Sequence, residues 1–366
     1  MCIDFIFLQT YGINTLMFNF TKPTKSSERK TKIICTIGPA TSKESVIKKL
    51  IAEGIDYARF NFSHGKKEEF EAWAKIIRRL AKKLKRKVEI IQDLQGPRIR
   101  IGKIPHEGRH LETNHIVALS YSDDLRRNEI PIQADVKVPV KSGDTILIDS
   151  GRIELKVKKT DGDRIICRVI VGGALLSGKG LNFPDSDTED AFTSKDEEDL
   201  KFGLDIQVEW VALSFVKDAK DIGELRAKTG DKVKIISKIE RPQAIYNFDG
   251  ILSKSDAIMV ARGDLGIEIP MEKLPFLQKR ILRRCVASGK PGIVATDMMA
   301  SMVNAPRPTR AEILDVANAV LDGASAVMLS NETAVGKYPV ETLITMRKIV
   351  EETEKFQQSQ ELKSLL

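Results

Sequence analysis

The chain has 366 residues, 42% of them hydrophobic and 30% charged, and a formal net charge of +8. That length holds one large domain or two ordinary ones with a sizeable core, and the balance is that of a soluble globular protein. Four widely spaced cysteines (Cys2, Cys35, Cys167, Cys285) with no CxxC pair argue against a disulfide framework or a zinc site, and for reduced thiols in a cytosol.

The first element in chain order is an extension, residues 1–30. Its opening, "MCIDFIFLQTYGINTLMF", is apolar but broken by Asp4, Gln9 and Asn14, with no basic region before it. It is too short and polar to span a membrane and poor as a signal peptide. A disordered extension is expected, or a start at Met17.

Short apolar runs then begin near Lys32, Asp56, Val88, Val208, Val233, Asp256, Gly292 and Ser325. Most are followed by a helical pattern. Two helices carry start and stop signals: "TSKESVIKKLIAEG", with a Thr41-x-x-Glu44 capping box and Gly54, and "PTRAEILDVANAVLDG", with Thr309-x-x-Glu312 and Gly323. Eight strands alternating with helices predict an α/β fold, a parallel (β/α)8 TIM barrel, over 31–101 and 187–355. Between Gly102 and Pro184 the rhythm changes to alternating segments with turn residues, such as "KSGDTILIDSG" and "RIELKVKKTDGDRIICRVIVGG". A small all-β domain, 102–186, is therefore expected after the third strand, placed as a lid over the end where such barrels hold their sites. Residues 356–366 are a tail.

The basic run "RRLAKKLKRK", Arg78 to Lys87, surrounds Leu80 and Leu84 at i,i+4 spacing, an amphipathic helix with a solvated face. No recognition motif accompanies it, so nucleic acid is not an expected partner, nor is a membrane; small anionic ligands account for the charge. His106, His110 and His115 lack the carboxylate or cysteine spacing of a metal site and read as surface residues.

The strand ends carry the chemistry. "ARFNFSHG" sets Arg59, Asn61 and Ser63 on one face and Phe60 and Phe62 on the other, as an extended chain must. "ISKIERP" sets Lys238 and Glu240 on one face, and "IMVARGDLG" delivers Asp264 one βα unit later. Two carboxylates on adjacent strand ends suit Mg²⁺, and Lys238 is then a fixed charge beside a transferring phosphoryl group. The Gly263 and Asp264 N–H groups open a helix, a place for a carboxylate or phosphate. In "IIQDLQGPRIRIG", Arg98 and Arg100 share a face, with Asp93 expected near them.

Taken together, "TKIICTIGPAT", "ARFNFSHG", "DLQGPRIRIG", "SGKGLNFP", "SKIE", "MVARGDLGIEIP", "ATDMMASM", "PRPTRAEILDVANAVLDG" and "MLSNETAVGKYPVE" resemble the pyruvate kinase family over about Thr31 to Lys355. The resemblance implies transfer of a phosphoryl group from phosphoenolpyruvate to ADP, in the cytoplasm. It implies that Arg59 holds the phosphoryl group, Lys238 stabilises it in flight, and Glu240 and Asp264 bind Mg²⁺, or Mn²⁺ in its place. The backbone of Gly263 and Asp264 with the Thr296 hydroxyl would hold the carboxylate, and Thr296 stands near the proton that completes pyruvate. Pro39, Asn61, His64, Arg100 and Lys179 match nucleotide-side positions, for ADP or ATP. The family's K⁺ ligands match Asn61, Ser63, Asp93 and the Leu94 carbonyl. Here Leu94, Gln95 and Ile101 match K⁺-independent relatives, with Arg98 in place of their lysine as the tethered charge, so K⁺ is not an expected requirement.

Asp297, Ala300, Asn331 and Ser150 depart from the family pattern without removing a metal ligand, Lys238 or Thr296. The family's usual C-terminal effector domain has no counterpart in these 366 residues, so no response to fructose 1,6-bisphosphate is expected, and self-association at most as a homodimer through barrel faces. Two rival readings are a catalytically weak or inactive barrel with a binding or regulatory role, and a Mg²⁺-dependent aldolase or lyase. His64, Arg100 and Lys179 weigh against the lyase, which needs no ADP. An assay separates the other.

Overall fold

A computed structural model describes residues 29–359, apart from 98, 105–107, 123, 127–128, 135–136 and 187–191. Eight parallel strands close into a barrel: Lys32–Thr36, Tyr57–Asn61, Glu89–Asp93, Trp210–Leu213, Lys234–Ile239, Ala257–Ala261, Gly292–Ala295 and Ala326–Leu329. Every one begins within two residues of the start its apolar run marks. Strands covered on both faces need near-continuous apolar sequence, which is why these runs stand out.

Two apolar layers result. Ile34, Ile91, Trp210, Ala212, Ile236, Met259, Ile293 and Met328 fill the barrel interior. The outward residues, such as Ile33, Phe60, Ile90, Val211 and Ile235, pack against the helices. On that outer side Phe62 stacks on Phe70 at 4.4 Å between centroids, and Phe60 and Trp73 join them. The basic run occupies the end of the helix Lys67–Leu84; Leu80 is buried while Lys82 and Lys83 are exposed.

Thr309 caps its helix as expected: its hydroxyl accepts from Glu312 N–H, and Glu312 accepts from Thr309 N–H. The Thr41-x-x-Glu44 box is not formed. Pro39 starts a 3₁₀ turn, Pro39–Thr41, in which the Thr41 hydroxyl accepts from Gly38 N–H at 2.9 Å. The helix that follows begins at Glu44 with Lys43 as an N-cap that gives no side-chain bond, and Glu44 pairs with Arg79 instead. A tight turn ahead of the helix had already claimed the threonine.

The insertion is a second closed barrel of seven strands with its own core, including Leu119, Ile146, Leu155 and Cys167. Ile99–Ile101 pairs within it, against Gly180–Asn182 and Glu129–Gln133. The crossover from the parallel barrel therefore lies before Ile99, three residues ahead of the expected boundary at 102. The barrel's last helix, Pro339–Gln358, runs three residues past the boundary at 355. Arg29 and Lys30, assigned to the extension, are bound to the barrel: Arg29 pairs with Asp56, and Lys30 N–H donates to Glu354.

Candidate active site

A strand alternates its faces, so the residue two positions beyond an interior one points into the barrel mouth. Ile34, Ile91 and Ile236 in the interior layer are thus followed at the mouth by Thr36, Asp93 and Lys238. The register places Thr36 opposite Arg59 and Asn61 opposite Asp93. Arg59 Nε donates to Asp93 Oδ2 at 2.7 Å, and its Nη1 donates to the Thr36 hydroxyl at 2.9 Å. Lys238 Nζ donates to Asp93 Oδ1 at 3.1 Å and to Ser214 Oγ at 2.7 Å. Both cations and Asp93 are buried, each at most 8% exposed.

The charges decide the protonation. Burial pushes the Asp93 carboxyl up, but Lys238 and Arg59 outweigh it and hold the group below its ordinary value. Burial pulls Lys238 down, and Asp93 and Glu240 outweigh that, keeping the ammonium charged. Two adjacent cations thus stand fixed at the mouth, where a phosphoryl group's charge would need them.

Glu240 is fully buried. Its Oε2 accepts from Phe215 N–H at 2.7 Å. Its Oε1 is ion-paired with Lys238, 2.9 Å from Nζ. Burial raises this carboxyl, Lys238 opposes the shift, and Asp264 adds to it. Two carboxylates close enough for Asp264 to raise Glu240 fit a hard divalent cation, which takes oxygen ligands.

Asp264 opens the helix Arg262–Glu268, as expected. Gly263 N–H donates to Thr296 Oγ1 at 2.7 Å, and that hydroxyl donates to the Ala295 carbonyl at 2.6 Å. The groups expected to hold a carboxylate are therefore in contact with one another. Thr296 and Asp297 have φ of 71° and 54°, and Phe215 has 56°. Left-handed backbone is costly for β-branched and bulky residues and clusters at functional sites.

Of the residues expected on the nucleotide side, Pro39 lies in the 3₁₀ turn and His64 is exposed just beyond Asn61. Arg100 and Lys179 come from the second barrel: Arg100 donates to the Gly178 carbonyl, and Lys179 pairs with Asp149 at 2.8 Å. A cleft between the two barrels is lined by Arg100, Asp149, Asn182, Phe215, Arg241 and Asp264, among others. Of the K⁺ set, Asn61 Oδ1 accepts from Ser63 N–H, the Leu94 carbonyl accepts from Ser214, and both Asp93 oxygens are engaged. Arg98 lies outside the described residues, as does His106. His110 and His115 are exposed, and among the described residues no group of three or more His, Cys, Asp or Glu side chains could hold a metal. Ser150, Asp297, Ala300 and Asn331 are all exposed.

Sequence reasoning missed several residues. It did not join Arg59 and Lys238 to Asp93, which both of them hold. Thr36 and Ser214 complete that network, and the signal for both was available: each sits two residues beyond an interior apolar one. Arg262 holds the Thr296 carbonyl, donating from Nη2 at 2.6 Å, and pairs with Asp315 on a neighbouring helix. No spacing rule joins positions 262, 296 and 315.

Residues 28–343 match the family model described as "Pyruvate kinase, barrel domain". The chain is 46% identical over 342 residues to pyruvate kinase 2 of Synechocystis sp., which covers 89% of this chain and 57% of that protein. It is 45% identical over 334 residues to a pyruvate kinase of Agrobacterium vitis, and 43% over 337 residues to one of Thermococcus litoralis. Those matches cover 90% of this chain in both cases and 70% and 71% of the two relatives.

Proposed function

The chain belongs to the pyruvate kinase family, and from that premise we propose that it moves a phosphoryl group from phosphoenolpyruvate to ADP, giving pyruvate and ATP. The observation that carries this reading is the buried pair Arg59 and Lys238, held side by side by Asp93. A rigid double cation suits a group whose negative charge is spread over three oxygens during transfer.

Arg59 orients the phosphoryl group and Lys238 stabilises it as the P–O bond to the enol oxygen breaks and one to the ADP terminal phosphate forms. The enolate left behind takes a proton at its methylene carbon to become pyruvate. Thr296 is the residue nearest that role, once its hydroxyl turns from the Ala295 carbonyl. The Gly263 and Asp264 N–H groups hold the substrate carboxylate, which displaces the Thr296 hydroxyl from Gly263. Glu240 and Asp264 would hold Mg²⁺, or Mn²⁺, which supplies further neutralisation of phosphate charge. Pro39, Asn61, His64, Arg100 and Lys179 face the nucleotide. A coupled assay for pyruvate with phosphoenolpyruvate, ADP and Mg²⁺ tests the reading; no pyruvate under any divalent cation overturns it.

The reading includes independence from K⁺. Its support is that oxygens of three candidate K⁺ ligands, Asn61, Asp93 and the Leu94 carbonyl, already accept hydrogen bonds within the chain, and that Arg98 can supply a permanent charge. Activity should be nearly unchanged when a bulky organic cation replaces K⁺ at constant ionic strength, and Arg98→Glu should create a K⁺ requirement. Restoration of an inactive wild type by K⁺ would remove Arg98 from that role. These 366 residues, assayed as they stand, should show hyperbolic phosphoenolpyruvate kinetics without a response to fructose 1,6-bisphosphate. Exposed Phe276 and Leu314 on the outer helices support self-association through barrel faces, as a homodimer. Among the described residues no helix is long and apolar enough to cross a membrane, and the function proposed needs only a cytoplasmic setting.

A further inference from the structure

One acid near the mouth has no part in the scheme above. Glu268 ends the helix Arg262–Glu268, one turn beyond Asp264. It is half-buried and stands on the cleft wall between the barrels. Burial raises its carboxyl, hydrogen bonding from Asn182 and the charge of Arg241 oppose the shift, and Asp264 and Glu240 add to it. A third acid in this company is costly unless something compensates.

The compensation comes from the other barrel. Asn182 Nδ2 donates to Glu268 Oε1 at 2.8 Å. Asn182 lies on the strand Gly180–Asn182, which pairs on one side with Ile148 and Leu147 and on the other with Arg100 and Ile99. Gly180 is the register partner of Arg100, and Lys179 precedes it. The hydrogen bond thus ties a strand flanked by the candidate nucleotide-side cations, Lys179 just before it and Arg100 on the strand beside it, to the helix that carries Asp264. On the barrel side, Arg241 is 8% exposed and lies 4.9 Å over the Phe215 ring. Phe215 in turn donates its N–H to Glu240.

We propose that the Asn182–Glu268 hydrogen bond is a latch that holds the inserted barrel closed over the catalytic end of the parallel one, making Glu268 a positioning residue for the nucleotide. The latch rests on the phosphotransfer reading only for its effect on kinetics. Its geometry stands apart from it. A nucleotide that needs the closed state binds with an apparent affinity reduced by the closed fraction. Phosphoenolpyruvate, held by residues of the parallel barrel alone, is less affected. Loss of the latch should raise KM for ADP about tenfold, equivalent to about 1.4 kcal/mol, and leave kcat within about twofold. The primary amide of a glutamine still offers an oxygen to Asn182, so Glu268→Gln should behave as wild type.

The test uses the full chain carrying spin labels at Lys159→Cys on the inserted barrel and Glu272→Cys on the parallel one, both exposed. Glu268→Ala and Asn182→Ala should each lengthen and broaden the interlabel distance. Glu268→Gln should not, and the double alanine variant should add nothing to either single one. Unchanged distances in both alanine variants overturn the latch, as do equal effects of Gln and Ala at position 268. Distances need no turnover, so a protein that shifts as described but forms no pyruvate would sink the phosphotransfer reading and leave the latch standing.

Discussion

Replacing Lys238 by methionine removes one cation from a buried cluster while keeping an unbranched side chain only one atom shorter. Its Nζ contacts Asp93, Ser214 and Glu240 at 3.1, 2.7 and 2.9 Å. Removing one partner from a buried ion pair typically costs about 3–5 kcal/mol. Here the lower end applies, since Asp93 keeps Arg59 at 2.7 Å and Glu240, already raised, can take up a proton. A loss of about 3 kcal/mol lowers Tm by about 6 °C, taking about 2 °C per kcal/mol for a domain of this size. Transition-state stabilisation falls further: losing one preorganised donor costs on the order of 10²–10³ in kcat. Circular dichroism melting and a pyruvate-coupled assay on the same preparation measure both effects. Native-like stability would show that the cluster is not electrostatically coupled as described. A kcat reduced less than about tenfold would show that Lys238 is not the charge the transferring group meets.

Thr309→Ala should destabilise by about 1 kcal/mol, the usual value of an N-cap, whereas Thr41→Ala should act through the Gly38 turn and leave the following helix's end unchanged; melting and amide exchange separate the two. Cys35, Cys167 and Cys285 are buried and free, and burial pushes Cys167 and Cys285 up to about 12. Native protein at pH 8 should leave all three unalkylated by iodoacetamide, with labelling only after denaturation, as peptide mass mapping would reveal. Asp93 has a folded pKa below its unfolded one. Its contribution to stability is therefore complete above about pH 3.8 and lost as pH falls through the folded value, so wild-type Tm should drop more steeply there than that of Asp93→Asn. Lys238 is shifted the other way; its contribution is complete below about pH 10.5 and lost as pH rises through the folded value.

The eight strands, their order and the polar rows at their ends were legible in the sequence because each is a local signal. An apolar run marks a strand buried on both faces, and alternation then fixes which residue of "ARFNF" or "SKIE" points with which. Thr309 and Glu312 were legible for the same reason, three positions apart on one turn. Thr41 was not, because Pro39 offered the threonine a competing turn and both patterns satisfy the same residues. Only closure of the barrel decided what Asp93 touches. Its partners lie 34 and 145 positions away, and they meet because the sheet's register brings the second, third and fifth strand ends to one mouth. Glu268 and Asn182, 86 positions apart, are a stronger case, for they belong to different barrels. A sequence states which faces its residues share along one strand or helix. Which faces meet across a cleft depends on how separately folded cores are set against each other, and no local period carries that information.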